Sequence, residues 1–168
     1  MDATWRAATW SQLGAAIDTL DDAINACPDA LWADESKLPP FWYFAYHALF
    51  WLDLHLSGSI HGFAPPEPFT LDELDPNEVL PERPYAKAEL SVYLQHCRAK
   101  AHATIDALAD ARAATVCDMG PRQLPFAELL LYTMRHVQEH AAQLSLLLSE
   151  ATGSGPGWVG TARRLPHG

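Results

Sequence analysis

Apolar residues recur every three or four positions in four segments of the chain, the period of an α-helix with one buried face. The first segment ends at Pro28, which cannot continue a helix. The second opens at Pro39 and Pro40, is apolar almost all round, and stops near Gly58. We therefore predict that the second helix is the most buried one. The apolar positions of the first segment are Trp10, Leu13, Ile17, Leu20 and Ile24.

A proline-rich stretch from Ser59 to Pro84 separates the second and third segments and has no period of its own. We interpret it as a long crossover loop, which is typical of neighbouring helices that run parallel. The third helix follows Pro84, and the fourth begins after Pro125 and ends before Gly153. No segment has the pattern of a strand of useful length. The sequence predicts an all-α fold, a four-helix bundle with a long crossover loop between helices 2 and 3.

The length of 168 residues and a hydrophobic content of 49% are those of one globular domain with its own core. We predict that the bundle occupies residues 1–152 and that a Gly/Pro/Arg-rich tail occupies residues 153–168. The net charge of −10 disfavours nucleic acid as a partner, because the phosphate backbone would repel the chain. No uncharged apolar run reaches the ~18 residues of a membrane span, so we expect no membrane association.

The three cysteines are far apart and form no C-x-x-C motif, which indicates reduced thiols. The first residues also lack the basic region and apolar core of a secretion signal. Both observations predict a cytoplasmic protein.

The fourth helix carries two histidines, His136 and His140, on its apolar face. Residues four apart on a helix are neighbours, with Cβ atoms about 5–6 Å apart. This suits two imidazoles that converge on one ion at about 2.0–2.1 Å. The alternative is two core histidines, each satisfied by a hydrogen bond. One such residue is common, but two stacked in the middle of a core are not, because each buried imidazole must find partners in an apolar place. Val137 stands where the zincin motif has its glutamate, so the general base of that mechanism is missing. The whole face reads Phe126, Leu129, Thr133, His136, His140, Leu144 and Leu147.

A third metal ligand should come from a facing helix, and His47 lies in the middle of the most buried one. Burying this histidine without a partner would be costly. The aromatic side chains around it either pack the core or shape an apolar substrate pocket; they are Trp42, Tyr43, Phe44, Tyr46, Phe50 and Trp51. We expect the other five histidines to be exposed to solvent; they are His55, His61, His96, His102 and His167.

The helix order and the histidine pattern resemble the DinB/YfiT-like superfamily over roughly residues 1–152. Its members have an aromatic-rich second helix with one histidine and a last helix that reads H-x-x-x-H-x-x-Q-[IL]. The last helix of this chain has His136, His140 and Gln143 at those positions. The resemblance implies a bundle, often a dimer, with a metal site of three histidines that correspond to His47, His136 and His140. It also implies nickel or zinc as the metal and, in some relatives, a low-molecular-weight thiol as cofactor.

Three neutral ligands would leave the ion with an open position, as in catalytic sites. A metal-bound water or a coordinated thiolate could then act as the nucleophile. Glu139 and Gln143 are candidates to support the ligands, or are ordinary helix residues. We predict a metal-dependent hydrolase or a thiol-dependent transferase that acts on an unidentified small molecule, with no assigned general base. The alternative is a non-catalytic metal-stabilised binding or stress-response protein. We expect a homodimer, from the resemblance and from a spare apolar face on the first helix.

Overall fold

The structure is a computed structural model that describes residues 2–36, 39–77 and 79–164. That part of the chain is mostly helical, as predicted, and none of its helices has the length and hydropathy needed to cross a membrane. Four of the helices are long and carry the core. The elements are α1 (Ala3–Ala26), α2 (Asp29–Trp32), α3 (Phe41–Ser57), α4 (Lys87–Asp106), α5 (Asp110–Ala114), β1 (Val116–Met119), β2 (Arg122–Pro125) and α6 (Phe126–Thr152).

The ends of the long helices follow the residues that favour such ends. The Asp2 side chain accepts a hydrogen bond of 2.7 Å from the Trp5 amide and caps α1. Helices α3 and α6 begin directly after Pro40 and Pro125. They end at Gly58 and Gly153, with φ of 78° and 79°, which only glycine adopts without strain. The predicted proline starts and glycine stops are confirmed at both helices.

The long helices form four main contacts: α1 packs against α4 and α6, and α3 packs against the same two helices. Helices α3 and α4 run parallel. Tyr85, just before α4, contacts Trp42 near the start of α3, whereas Lys100 donates to Ser57 at its end.

Helices α3 and α6 run antiparallel, and this places the predicted metal ligands opposite each other. Phe44, in the first turn of α3, contacts His140 in the second half of α6. Near the other end, His55 of α3 contacts Tyr132 in the first half of α6. His47 therefore faces the histidine pair across the α3–α6 interface.

A short antiparallel hairpin, β1–β2, connects α5 to α6, although we predicted no strand there. The register pairs Met119 with Arg122 around Gly120, whose φ is 73°. Cys117 and Met119 are buried and alternate with more exposed neighbours. Strands of four residues contain only two such alternations, which is too few for the period to be seen in the sequence. The crossover loop also contains a 3-10 turn, Asp72–Leu74.

The chain after α6 returns along α1. The Ala162 amide donates to the Ser11 carbonyl at 2.8 Å, and the Arg163 amide donates to the Asp18 carboxylate at 2.6 Å. Residues 165–168, and with them the last histidine of the sequence, lie outside the described part of the chain.

Candidate metal centre

The three predicted ligands, His47, His136 and His140, lie together between α3 and α6. The His47 ring centroid is 5.3 Å from that of His136 and 4.8 Å from that of His140, and the latter two are 4.5 Å apart. One ring nitrogen of each lies within 4.8 Å of those of the other two. All three residues are partly buried. The three histidines are therefore close enough to bind one metal ion.

The closest pair of nitrogens in this cluster is spaced like two ligands of one ion. Nε2 of His136 is 3.1 Å from Nε2 of His140. Two nitrogens at about 2.0–2.1 Å from an ion are about 2.9 Å apart at a right angle and about 3.3 Å apart at the tetrahedral angle. The distance therefore suits either a hydrogen bond between the two rings, with the proton on one of them, or two ligands of one ion.

Two of the rings have their outward nitrogens held by hydrogen bonds. Nδ1 of His47 donates to a Glu73 carboxylate oxygen at 2.7 Å, and Nδ1 of His140 donates to the Gln143 side-chain oxygen at 2.8 Å. With the proton on Nδ1, Nε2 of each ring carries a lone pair that can bind an ion. Metal-binding histidines commonly have such a partner on the other ring nitrogen.

Glu73 is a partner of the cluster that the sequence did not predict. It lies on the 3-10 turn of the crossover loop, and its side chain is only 3% exposed. The oxygen that accepts from His47 also accepts from Nε1 of Trp51 at 2.9 Å. Burial alone would raise the pKa of Glu73. The hydrogen bond and charge of His47, followed by hydrogen bonds from Tyr43 and Trp51, outweigh burial and hold this pKa below its usual value. The carboxylate is therefore ionised at neutral pH.

The signal for Glu73 in the sequence is weak. A ligating histidine is often paired with a carboxylate, so an acidic partner of His47 was to be expected. The crossover loop has no helical or strand period, so spacing does not select one of its acidic residues. These residues are Glu67, Asp72, Glu73, Asp75, Glu78 and Glu82.

The histidines on α6 are in the neutral form that binds metals. Burial, followed by the nearby His140 and His47, lowers the pKa of His136 to about 3. Burial also lowers the pKa of His140. Neither ring therefore has to lose a proton at neutral pH before it can bind an ion. Nδ1 of His136 is buried and has no hydrogen-bond partner in the described part of the chain.

The prediction that His55 is exposed is wrong. This residue is 4% exposed and packs against Tyr132 and His136, with ring centroids 5.4 and 6.0 Å away. Burial, followed by the charge of Arg122, lowers its pKa to about 4. The available signal was its spacing: His55 follows His47 by eight residues, or about two turns, and so lies on the same helix face.

The other histidines in the described part of the chain lie away from the cluster. The side chains of His61 and His96 are 77% and 46% exposed, as predicted. His102 is partly buried, against the prediction, because its ring packs edge-on against Trp10 at 4.7 Å.

The two candidate supporting residues on α6 differ in their contacts. Gln143 bonds directly to His140, whereas the exposed Glu139 contributes only its charge to the surroundings of that ring.

The aromatic residues around His47 fall into two groups, those that pack the core and those that lie beside the histidine cluster. Buried in the core are Trp42, Tyr46 and Phe50; partly buried with ring centroids 6.0–6.3 Å from His47 or His140 are Tyr43, Phe44 and Trp51.

Comparison with known proteins identifies the family of the chain. The sequence model of the DinB superfamily matches residues 12–144, which is most of the chain. The matched region runs from the first half of α1 to the residue after Gln143 and includes all three clustered histidines. No curated protein and no solved structure gave a significant match.

Proposed function

The chain belongs to the DinB superfamily, and we propose that it is a metal-dependent enzyme built on the four-helix bundle and long crossover loop of that superfamily. The proposed metal ligands are His47, His136 and His140, and the proposed reaction is hydrolysis or thiol transfer on a small molecule. The observation that carries the proposal is the convergence of three imidazoles, two of them with the outward nitrogen hydrogen-bonded to Glu73 or Gln143.

The donor set suits zinc or nickel, because imidazole nitrogen is a ligand that both metals accept. Three protein ligands leave at least one position open, which is typical of catalytic sites and not of closed structural ones. When bound, such an ion supplies Lewis acidity and lowers the pKa of a coordinated water or thiol.

The residues around the ligands would orient the imidazole rings and limit the access of water to the site. The ionised Glu73 fixes the ring of His47, and Gln143 fixes the ring of His140. Trp51 and Phe44 cover these rings with apolar surface. Low polarity around the site strengthens the electrostatic interactions made inside it.

The test of the metal site begins with elemental analysis of protein purified without a nickel column. We expect about one zinc or nickel per chain, because three converging histidines form one site. His136→Ala should abolish binding. His96→Ala is the matched control, since this residue lies on the exposed side of α4. A wild-type protein that holds no metal and takes up neither added zinc nor added nickel would refute the proposal, as would equal metal content in the two variants.

Catalysis is tested separately from binding. Hydrolysis of p-nitrophenyl acetate and conjugation of a small thiol to 1-chloro-2,4-dinitrobenzene would be measured with metal bound and after chelation. We expect one of the two rates to fall on chelation and in His136→Ala. Metal binding without either activity would favour the rival function, a non-catalytic metal-stabilised binding or stress-response protein.

A further inference from the structure

A small cavity lies beside the histidine cluster, between the β1–β2 hairpin, α3 and α6. Its volume is about 180 Å³, room for roughly six waters. This is below the size of pockets for drug-sized ligands, so a ligand of this cavity would be a compact molecule. The walls are mainly apolar and include Trp51, Met119, Leu124, Leu129 and Tyr132.

Arg122, on β2, is the charged group of this cavity. Its guanidinium donates to the Tyr132 hydroxyl at 2.5 Å and lies 5.0 Å from the centre of that ring. No acidic side chain in the described part of the chain pairs with it, although the whole sequence has a net charge of −10. A guanidinium without a carboxylate partner is available to an anion, and its planar fork matches a carboxylate.

His55 is the second polar group of the cavity. Its side chain lines the wall, is buried, and has no hydrogen-bond partner for Nδ1 among the described residues. A buried polar atom left without a partner is destabilising.

Only one layer of aromatic rings separates the cavity from the proposed metal. The Tyr132 ring stacks on His136 with centroids 6.4 Å apart and an angle of 14° between planes. Trp51 lies 6.2 Å from His47, and His55 lies 6.0 Å from His136. A molecule held in the cavity would therefore be separated from the histidine cluster by one layer of rings.

We infer that this cavity is a binding site for a compact carboxylate with an aromatic or branched aliphatic body, separate from the open position of the proposed metal. The carboxylate pairs with Arg122, and the hydrocarbon lies between Trp51 and Tyr132. This binding does not require the metal.

Benzoate is a suitable probe because it combines one carboxylate with one ring. Calorimetric titration would use the full-length chain, metal-loaded and after chelation, at low ionic strength. In the chelated protein benzoate cannot bind directly to a metal ion, so any binding that remains is to the protein itself. We expect benzoate to bind both forms, and benzamide and acetate to bind at least tenfold more weakly, because the first lacks the charge and the second lacks the ring.

Variants at Arg122 test whether benzoate binds in this cavity. Arg122→Gln should weaken benzoate at least tenfold and leave benzamide unchanged, and Arg122→Lys should retain part of the affinity because it keeps the charge. Arg135→Gln is the matched control; Arg135 is exposed on α6, three residues after Tyr132, and does not line the cavity. Circular dichroism would verify that each variant is folded. Equal binding of benzoate and benzamide, or equal losses in Arg122→Gln and Arg135→Gln, would overturn the inference.

Zinc binding measured on the same samples separates the two proposals. Zinc binding without benzoate binding would overturn the pocket and leave the metal site intact. Benzoate binding that depends on Arg122, in a chain that binds no metal, would support the pocket and refute the metal-dependent function.

Discussion

The substitution Glu73→Gln tests whether the crossover loop takes part in metal binding. Glutamine has the size of glutamate, so its side-chain oxygen can still accept from Nδ1 of His47 and Nε1 of Trp51. It lacks the negative charge. The variant therefore removes the charge from the partner of His47 with almost no change in volume.

Two estimates of the effect on zinc affinity overlap. A hydrogen bond to a charged group contributes about 1.5–3 kcal/mol and one between neutral groups about 1 kcal/mol, so the lost charge weakens the support of His47 by about 1–2 kcal/mol. Independently, removal of the outer partner of a ligating histidine typically weakens metal affinity about 10–100-fold, or about 1.4–2.7 kcal/mol. We expect Glu73→Gln to bind zinc about 10–30-fold more weakly than the wild type.

The affinity would be measured by competition with a chromophoric zinc chelator at pH 7.5. Glu82→Gln is the matched control, since it makes the same change at an exposed position of the same loop. We expect its zinc affinity to equal that of the wild type. An affinity of Glu73→Gln within twofold of the wild type would refute the reasoning, as would an equal loss in Glu82→Gln.

The remaining predictions concern acid stability, core packing and assembly. In chelated protein the pKa of His55 is about 4 in the folded state and ~6.5 in the unfolded chain. As the pH drops from ~6.5 towards 4, the unfolded state therefore takes up this proton first, and the free energy of unfolding should fall. His55→Phe should flatten this fall by up to ~1.4 kcal/mol per pH unit in urea titrations, and an unchanged slope would contradict the burial of His55. Leu49→Ala leaves a cavity at a fully buried position of α3 and should lower the free energy of unfolding by about 2–5 kcal/mol. Leu131→Ala, at an exposed position, should change it by less than about 0.5 kcal/mol. Equal losses in the two leucine variants would show that the buried faces are wrongly assigned. Light scattering at micromolar concentration should give the mass of a dimer, a proposal that the exposed Leu146 and Trp158 support; the mass of one chain would count against it.

The sequence could predict the features that depend on residues close together in the chain, within one or two turns of a helix. The period of apolar residues located the long helices, and prolines and glycines marked the ends of α3 and α6. The spacing of four between His136 and His140 placed both on one face, because the geometry of an α-helix is the same in every protein. The density of aromatic residues around His47 predicted a buried helix, and that helix faces the histidine pair.

Only the tertiary structure decided which distant residues complete the site. Glu73 lies 26 residues from His47 in a loop without a period, and the path of that loop depends on the packing of the whole core. The burial of His55 and the position of Arg122 depend on a hairpin that covers the end of α3, which no repeat in the sequence indicates. Local periodicity specifies the direction in which a side chain leaves its own helix. It carries no information on which loop or strand covers that side chain, because such contacts depend on the arrangement of the whole chain.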